Sequence, residues 1–453
     1  MPLPAPLPAA FTRLSCSNLA AQFSEQIALT AAPLAAVLLL AAGPAETGWL
    51  QTAQTLPFLL LSIPAGLLVD RTSRRGLVVA AEALRSLSLL ATLLAAGLGL
   101  LDLPLLAALG ALGAVGTVAA TVAAPAIVPS LVPRDRLGEA NRRLELARSL
   151  AFAAGPALGG AVVGWAGAPA AWIVAAILSG LAVVLLAGLP DAAIEPAAPK
   201  RLLDDLKEGA GFVLGHALLR PILITAIFFN LAWFVLQAVW VVHAIGALGL
   251  SPTGVGLTLG VYGAGMVAGA AVAPWLARRL AFGTTILLGP AGGLAAAATL
   301  LATVAVPSGL LAAAGFFLFG AGPILWTIAT TTLRQAVTPD AMLGRVSAIV
   351  LTATFGARPL GAAIGALIAA EAGTPACLAV AAAGFLIQFL VILASPVPRL
   401  RALPVSARPP RREAPAPISR PDCDRGQLGR EPAVRIGSIP VRRASGLDSP
   451  GPS

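Results

Sequence analysis

The sequence predicts an all-α membrane protein: twelve transmembrane helices in two pseudo-symmetric six-helix halves. Three observations carry that prediction. Of 453 residues, 58% are hydrophobic and only 11% are charged, against about 25% charged residues in a soluble domain. The apolar residues come in blocks of about 20, the length that crosses a bilayer as a helix. Finally, a segment near residue 131 recurs near residue 337. An ordinary soluble enzyme is excluded by composition. Membrane strands are excluded by the continuous Leu-, Ala- and Gly-rich blocks, since strands of that kind alternate over about 10 residues.

The twelve spans are expected at 15–42, 47–69, 77–101, 104–128, 144–165, 169–190, 219–245, 253–276, 284–306, 308–333, 344–371 and 374–396. The N-terminus has no short apolar segment ending in a cleavage site, so the first block reads as a retained helix. Cations set the orientation. With the N-terminus inside, the cytoplasmic loops hold Arg71, Arg74 and Arg75; Arg134, Arg136, Arg142 and Arg143; Lys200, Arg201 and Lys207; Arg278 and Arg279; and Arg345. The opposite loops hold no Lys or Arg, only acids such as Glu46, Asp102 and Glu371. Short basic loops resist translocation, so both termini are expected in the cytoplasm of a cell-membrane protein. Trp49, Trp165 and Trp172 fall near predicted outer helix ends, where an aromatic belt is expected. The net charge of +10 then marks cytoplasmic loops and tail, not nucleic-acid binding.

Four regions follow: a six-helix half over 1–190, a linker over 191–218, a second half over 219–396, and a basic tail over 397–453. The linker begins Pro/Ala-rich. It continues with Leu203, Leu206, Ala210, Phe212 and Leu214 among charged residues, the pattern of an amphipathic helix on a membrane surface. Eleven prolines and eleven arginines after residue 396 predict a disordered tail. LVPRDRLGEAN (131–141) matches VTPDAMLGRVS (337–347) at Pro133/Pro339, Leu137/Leu343 and Gly138/Gly344. FAAGPALGG (152–160) aligns with FGARPLGAA (355–363), which sets Arg358 opposite Gly155. Internal repeats of this kind are a mark of secondary transporters.

GLLVDRTSRR (66–75) closes the second predicted span. Gly66, Asp70, Arg71, Arg74 and Arg75 match G-x-x-x-D-[RK]-x-G-[RK]-[RK], and Ser73 departs at the second glycine. With twelve spans, a central loop and repeated halves, the sequence resembles the major facilitator superfamily over about 11–396. Together with VPRDRLGEANRRLE, GPALGG and TPDAMLGRVS it looks like the drug- and siderophore-exporting branch typified by enterobactin exporters. The resemblance implies the major facilitator fold and a gating role for the 66–75 motif, with Asp70 facing the N-terminal dipole of span 11. Gly155, Pro156, Gly159 and Gly160 resemble the antiporter signature of span 5; generic close packing reads them equally. The counterpart APWLARRLAFG (273–283) keeps Arg278 and Arg279 without the acid.

Within the membrane, polar residues are costly and face a partner or a cavity. Glu25 shares a face of span 1 with Asn18 and Gln22, at about 100° per residue. The resemblance places that helix on the central cavity, where Glu25 is the candidate for proton coupling; hydration or a structural Arg pair is the alternative. Arg358 in mid-span 11 calls for an acid or an anionic substrate group. Glu82 and Arg85 read as a local i, i+3 pair. Asn230, Trp233, Gln237 and Trp240 form one stripe, and Phe319, Trp326 and Thr330 another. With the small face Gly113, Thr117, Ala120 and Ala124 they predict a roomy, mostly apolar cavity. His216 and His243 have no metal-ligand spacing, the three cysteines suggest neither disulfide nor zinc site, and no phosphate loop occurs. The expectation is a monomeric transporter in the lipid bilayer, with no catalytic residue, metal or cofactor. It would move a hydrophobic or amphipathic small molecule, such as a drug or siderophore, outward in exchange for protons. A lipid flippase or an uptake symporter is the alternative on the same fold; an intramembrane enzyme or a sensor is the alternative from another class.

Overall fold

Local chemistry sets the helix starts. Asp102 accepts from Leu105 N at 2.8 Å, Ser251 from Gly254 N at 3.2 Å and Ser308 from Leu311 N at 3.4 Å. Each satisfies one of the amides left without an intrahelical partner. The structure, a computed structural model, describes residues 7–133, 136–190, 202–339 and 342–404. Among them all extended regular structure is helical: α1 (Ala9–Leu39), α2 (Pro44–Arg71), α3 (Arg74–Gly97), α4 (Leu103–Leu131), α5 (Leu137–Ala187), α6 (Leu202–Gly215), α7 (Leu219–Gly246), α8 (Pro252–Arg279), α9 (Phe282–Ala302), α10 (Gly309–Val337) and α11 (Leu343–Leu393).

Nine helices among the described residues are long and apolar enough to cross a membrane. Two of the nine, α5 and α11, run 51 residues each and cross twice. Gly167 (φ 80°) and Gly373 (φ 74°) fold them into hairpins. Positive φ suits glycine, and a proline two residues on restarts each second arm. The hairpin of α5 shows in its contacts with α1. Asn18 Nδ2 donates to Leu144 O on the first arm at 3.4 Å, and Ser17 Oγ to Ala182 O on the second at 3.2 Å. The 28-residue α2, packed between α4 and α11, completes twelve crossings. The second part of the linker forms α6, docked on the start of α11 by Arg345 Nη1 and Glu208 Oε2 at 2.5 Å.

The repeat is structural. Leu137/Leu343, Gly167/Gly373 and Ala187/Leu393 stand 206 residues apart, as do both ends of α4 and α10. This corrects the sequence alignment of 152–160 with 355–363, which slipped by three. In the structural register Gly155 matches Gly361, and Gly159 matches Gly365. The first pair abuts Gln26 of α1 and Leu231 of α7; the second abuts Ile27 of α1 and Val235 of α7. Arg358 therefore corresponds to Phe152, not to Gly155. The slip is nearly one helical turn, the shift that keeps a Gly-rich face in phase with itself.

Ala9, Arg71, Ala187, Arg279 and Leu393 fall at one end of the bundle, here called proximal; Gly167 and Gly373 mark the distal end. Among the described residues, the cationic loop residues Arg74, Arg75, Arg136, Arg142, Arg143, Lys207, Arg278, Arg279 and Arg345 gather at the proximal end. Two further expectations change. Trp172 is only 1% exposed and sits in the core, not in an aromatic belt, while Trp165 is 90% exposed. The expected tail begins in order. Val397 is buried, and Leu400 O and Arg401 O accept from Gly283 N (2.8 Å) and Phe282 N (3.3 Å), which caps α9. Residues 191–201 of the linker and 405–453 of the tail lie outside the described residues, as does Arg134.

Candidate functional site

The two halves meet along α5–α8 and α2–α11. Backbone touches backbone at the distal part of both seams. A Cβ on Gly160 would lie 2.6 Å from Gly256 Cα, and one on Gly48 2.7 Å from Ala366 Cα. Thr47 Oγ1 of α2 donates to Ala238 O of α7 at 2.8 Å. Near mid-span the seam carries Phe58 and Phe355 edge to face at 5.5 Å. α4 and α10 barely touch. The span-5 glycines thus serve both sides: Gly155 and Gly159 bring α5 onto α1, and Gly160 brings it onto α8. Pro156 lines the cavity between the halves.

That central cavity measures about 400 Å³, within the range typical of small-molecule sites. Glu25, Arg85, Asn230, Trp233, Gln237, Trp240 and Arg358 all line it. On the C-terminal side its wall is aromatic: Trp233 packs 5.3 Å from Tyr262 and 4.9 Å from Phe319, and Trp240 packs 4.7 Å from Phe316. Tyr262 is the only tyrosine in the chain, and sequence reasoning passed over it. Gln51, Gln54 and Thr55 of α2 were missed as well; amides within a span were the available signal.

A second cavity of about 430 Å³ lies inside the N-terminal half. It follows α1 from Leu14 to Glu25 and takes in Asn18 and Gln22, a run of about 16 Å at 1.5 Å per residue. Asn18 and Gln22 therefore share a face with Glu25, as expected, but serve this inner cavity and not the central one. Glu25, Arg85 and Thr117 line both.

The boundary between the cavities is an ionic cluster. Arg85 Nη2 donates to Glu82 Oε1 at 2.6 Å and to Ala21 O at 2.7 Å, while its Nη1 lies 3.6 Å from Glu25 Oε2. Ser179 Oγ donates to Glu82 Oε1 at 2.7 Å. The pair read as local in sequence is therefore half of a buried cluster joining α1, α3 and α5. Beside the cluster Gly113 of α4 makes room for Ser88 of α3, whose Oγ would lie 2.7 Å from a Cβ there. Glu82 has two firm donors. Glu25 holds Arg85 more loosely and is more open, its side chain 21% exposed against 3% for Glu82.

Arg358 has no carboxylate within ion-pair distance among the described residues. Its guanidinium lies over Phe355 (4.1 Å), Phe58 (5.4 Å) and Phe234 (5.7 Å), and its Nε is buried without a hydrogen-bond partner. Cation–π contacts give about 0.5–2 kcal/mol each, against about 2.5–3.5 kcal/mol for a charge at mid-helix on insertion scales.

Other expected site residues lie elsewhere. Trp326 does not line the central cavity. Its Cβ fits against Gly289 of α9, where a glycine Cβ would sit 2.4 Å away, and it joins the cluster of Ile222, Ile286 and Leu333. The stripe is split: Trp326 faces α9 and Phe319 packs on Trp233 of α7, while Phe316 is the α10 residue that lines the cavity. His243 is buried and bonds Thr303 Oγ1 at 2.9 Å, a structural role. At the gating motif, Ser73 caps α3 through Gly76 N at 3.0 Å and Arg75 donates to Ala187 O. Arg74 opens α3. The side chains of Gly66, Asp70 and Arg71 lie outside the described residues, so the expected dipole contact of Asp70 is not described.

An MFS-type family model described as transmembrane secretion effector matches residues 5–427. The chain is 30% identical over 339 residues to an uncharacterized MFS-type transporter, y4rN, of Sinorhizobium fredii, covering 72% of this chain and 81% of that protein. Among solved structures, the nucleoside transporter NupG superposes with a TM-score of 0.68 at 11% identity, covering 85% of this chain and 99% of that one. A bacterial homologue of the iron transporter ferroportin, in an inward-facing state, superposes at 0.67 with 17% identity, covering 85% and 98%. At such identities the likeness shows the fold.

Proposed function

The chain belongs to the major facilitator superfamily of membrane transporters, not to an enzyme family, and from that premise we propose that it exports hydrophobic or amphipathic small molecules, such as drugs or siderophores, by proton antiport. One observation carries the coupling: the Glu25–Arg85 contact stands where the central cavity meets the inner cavity of the N-terminal half. Protonating Glu25 releases Arg85 to Glu82, its closer partner, and loosens the wall between the two spaces. Only a proton affinity that differs between the two transport states can couple to substrate movement. The proximal end is assigned to the cytoplasm because the cationic loops gather there. A seam tight at the distal end, with α4 and α10 barely touching, supports a state open to the proximal side. Closing that side is the role assigned to Asp70, against the N-terminus of α11.

Export rests on resemblance, and one observation favours a second reading, uptake by symport. Arg358 is a cavity cation without a carboxylate partner among the described residues. An anion on Arg358 and a proton on Glu25 would favour each other's binding. Proteoliposomes separate the readings through the direction of the pH gradient that drives net movement. Under either, Glu25→Gln should retain substrate exchange and lose pH-driven transport. Full pH-driven transport by Glu25→Gln would remove Glu25 from the coupling mechanism.

A further inference from the structure

We infer that Arg358 is a recognition site for an organic anion, so that the preferred substrate is an amphipathic molecule with a carboxylate-like group on an aromatic or apolar body. The inference rests on the transport reading of the central cavity and is independent of its direction. The elements packed against Arg358 bring rings to it. α2 contributes Phe58, α7 contributes Phe234, and α11 itself contributes Phe355. The one acid lining the cavity is Glu25, and it is engaged by Arg85 across the N-terminal half. Tyr262 is neutral as a phenol. Arg358 therefore brings a guanidinium to a cavity wall packed among rings, with Glu25 acting on it only across the cavity and one N–H without an acceptor.

A structural arginine in a membrane interior pairs with an acid or with backbone carbonyls. Arg358 has no such bond among the described residues. The phenylalanines keep water away and hold the guanidinium plane in place, which strengthens its attraction for a carboxylate and reduces the ordering cost of binding. The rest of the pocket states the other half of the ligand. Trp233 and Tyr262 offer ring faces for an apolar body, and Gln237 and Asn230 offer amides around the charged end. A cavity of about 400 Å³ takes a molecule with one or two fused rings.

The test uses three ligands with one body: naphthoate, its neutral amide, and the corresponding naphthylmethylamine. Binding to the full chain in detergent is read by thermal stabilisation and tryptophan fluorescence. The carboxylate should bind at least about tenfold more tightly than the amide or the amine, in keeping with a buried charge pair. Arg358→Met should lose that preference, and Arg358→Lys should keep part of it. Arg358→Met without ligand should be no less stable than the parent, because an unpaired buried charge has been removed; a large loss of stability would assign Arg358 a structural role and overturn the inference. Equal binding of the amide, or no binding by any of the three, also overturns it. Transport by the parent chain of a neutral substrate, insensitive to Arg358→Met, would remove the anion site and leave the transporter reading standing.

Discussion

Ser179 and Phe385 stand 206 residues apart, at equivalent places in the second arms of α5 and α11. One donates to Glu82 Oε1 at 2.7 Å; the other packs 4.8 Å from Phe319. The contrast extends through both halves. Gly113 of α4 makes room for Ser88 of α3, and its equivalent in α10, Phe319, carries a ring packed against Trp233. Equivalent glycines meet the polar Gln26 of α1 in one half and the apolar Leu231 of α7 in the other. The N-terminal interior is thus built on charge and small residues, and the C-terminal interior on aromatic packing. An ionic interior can change state when one carboxyl takes a proton. A packed aromatic interior has no such second state and serves as a fixed platform. One backbone plan therefore carries an ionic cluster in one half and a packed aromatic wall in the other.

Glu82→Leu breaks this contrast most severely. It leaves Arg85 buried with the Ala21 carbonyl and only the loose Glu25 contact to balance its charge, and a cost of about 3–5 kcal/mol is expected, measured by thermal unfolding in detergent. The double change Glu82→Leu with Arg85→Met makes the N-terminal interior apolar, like its counterpart, and should recover most of that loss while abolishing pH-driven transport. If the double change is no more stable than the single one, the cluster is not an isolated electrostatic unit.

Gly160→Ala sharpens the comparison at the seam. Its equivalent, Ala366, already carries a Cβ, and it is Gly48 that gives way there. Gly160 faces Gly256 Cα and Pro252 O at 2.6 Å from where the Cβ would stand. Overpacking at such a site costs about 1–3 kcal/mol, and transport should fall because the distal seam no longer closes. Cross-linking yield between cysteines placed on α5 and α8 would report the opening. The smallest effect is expected for Ser179→Ala, about 0.6 kcal/mol for one interhelical hydrogen bond in a membrane. A larger loss would mean that the serine, and not Arg85, positions Glu82.

Much of this was legible in the chain. Apolar block length and one-sided cations predict twelve crossings, because lipid leaves the backbone no partner but its own helix. Glu25, Arg358 and the α7 stripe could be picked out because polar groups in a span have to be used. Trp326 and Trp172 were misplaced for a complementary reason: a face of a helix can be read from its spacing, but which neighbour that face meets cannot. The repeat was visible, yet its register over α5 and α11 slipped by nearly a turn, since Gly- and Ala-rich faces match themselves at each turn.

The sequence by itself determined the number of spans, the sorting of charge to one end, and the existence of two related halves, all consequences of the bilayer acting on each helix separately. Tertiary structure alone decided that Glu25 and Glu82 share Arg85, that Arg358 has rings for company, and that one cavity became two. Those are contacts between helices far apart in the chain. They depend on which glycine lets which backbone approach, and that distance is fixed only when both helices are in place.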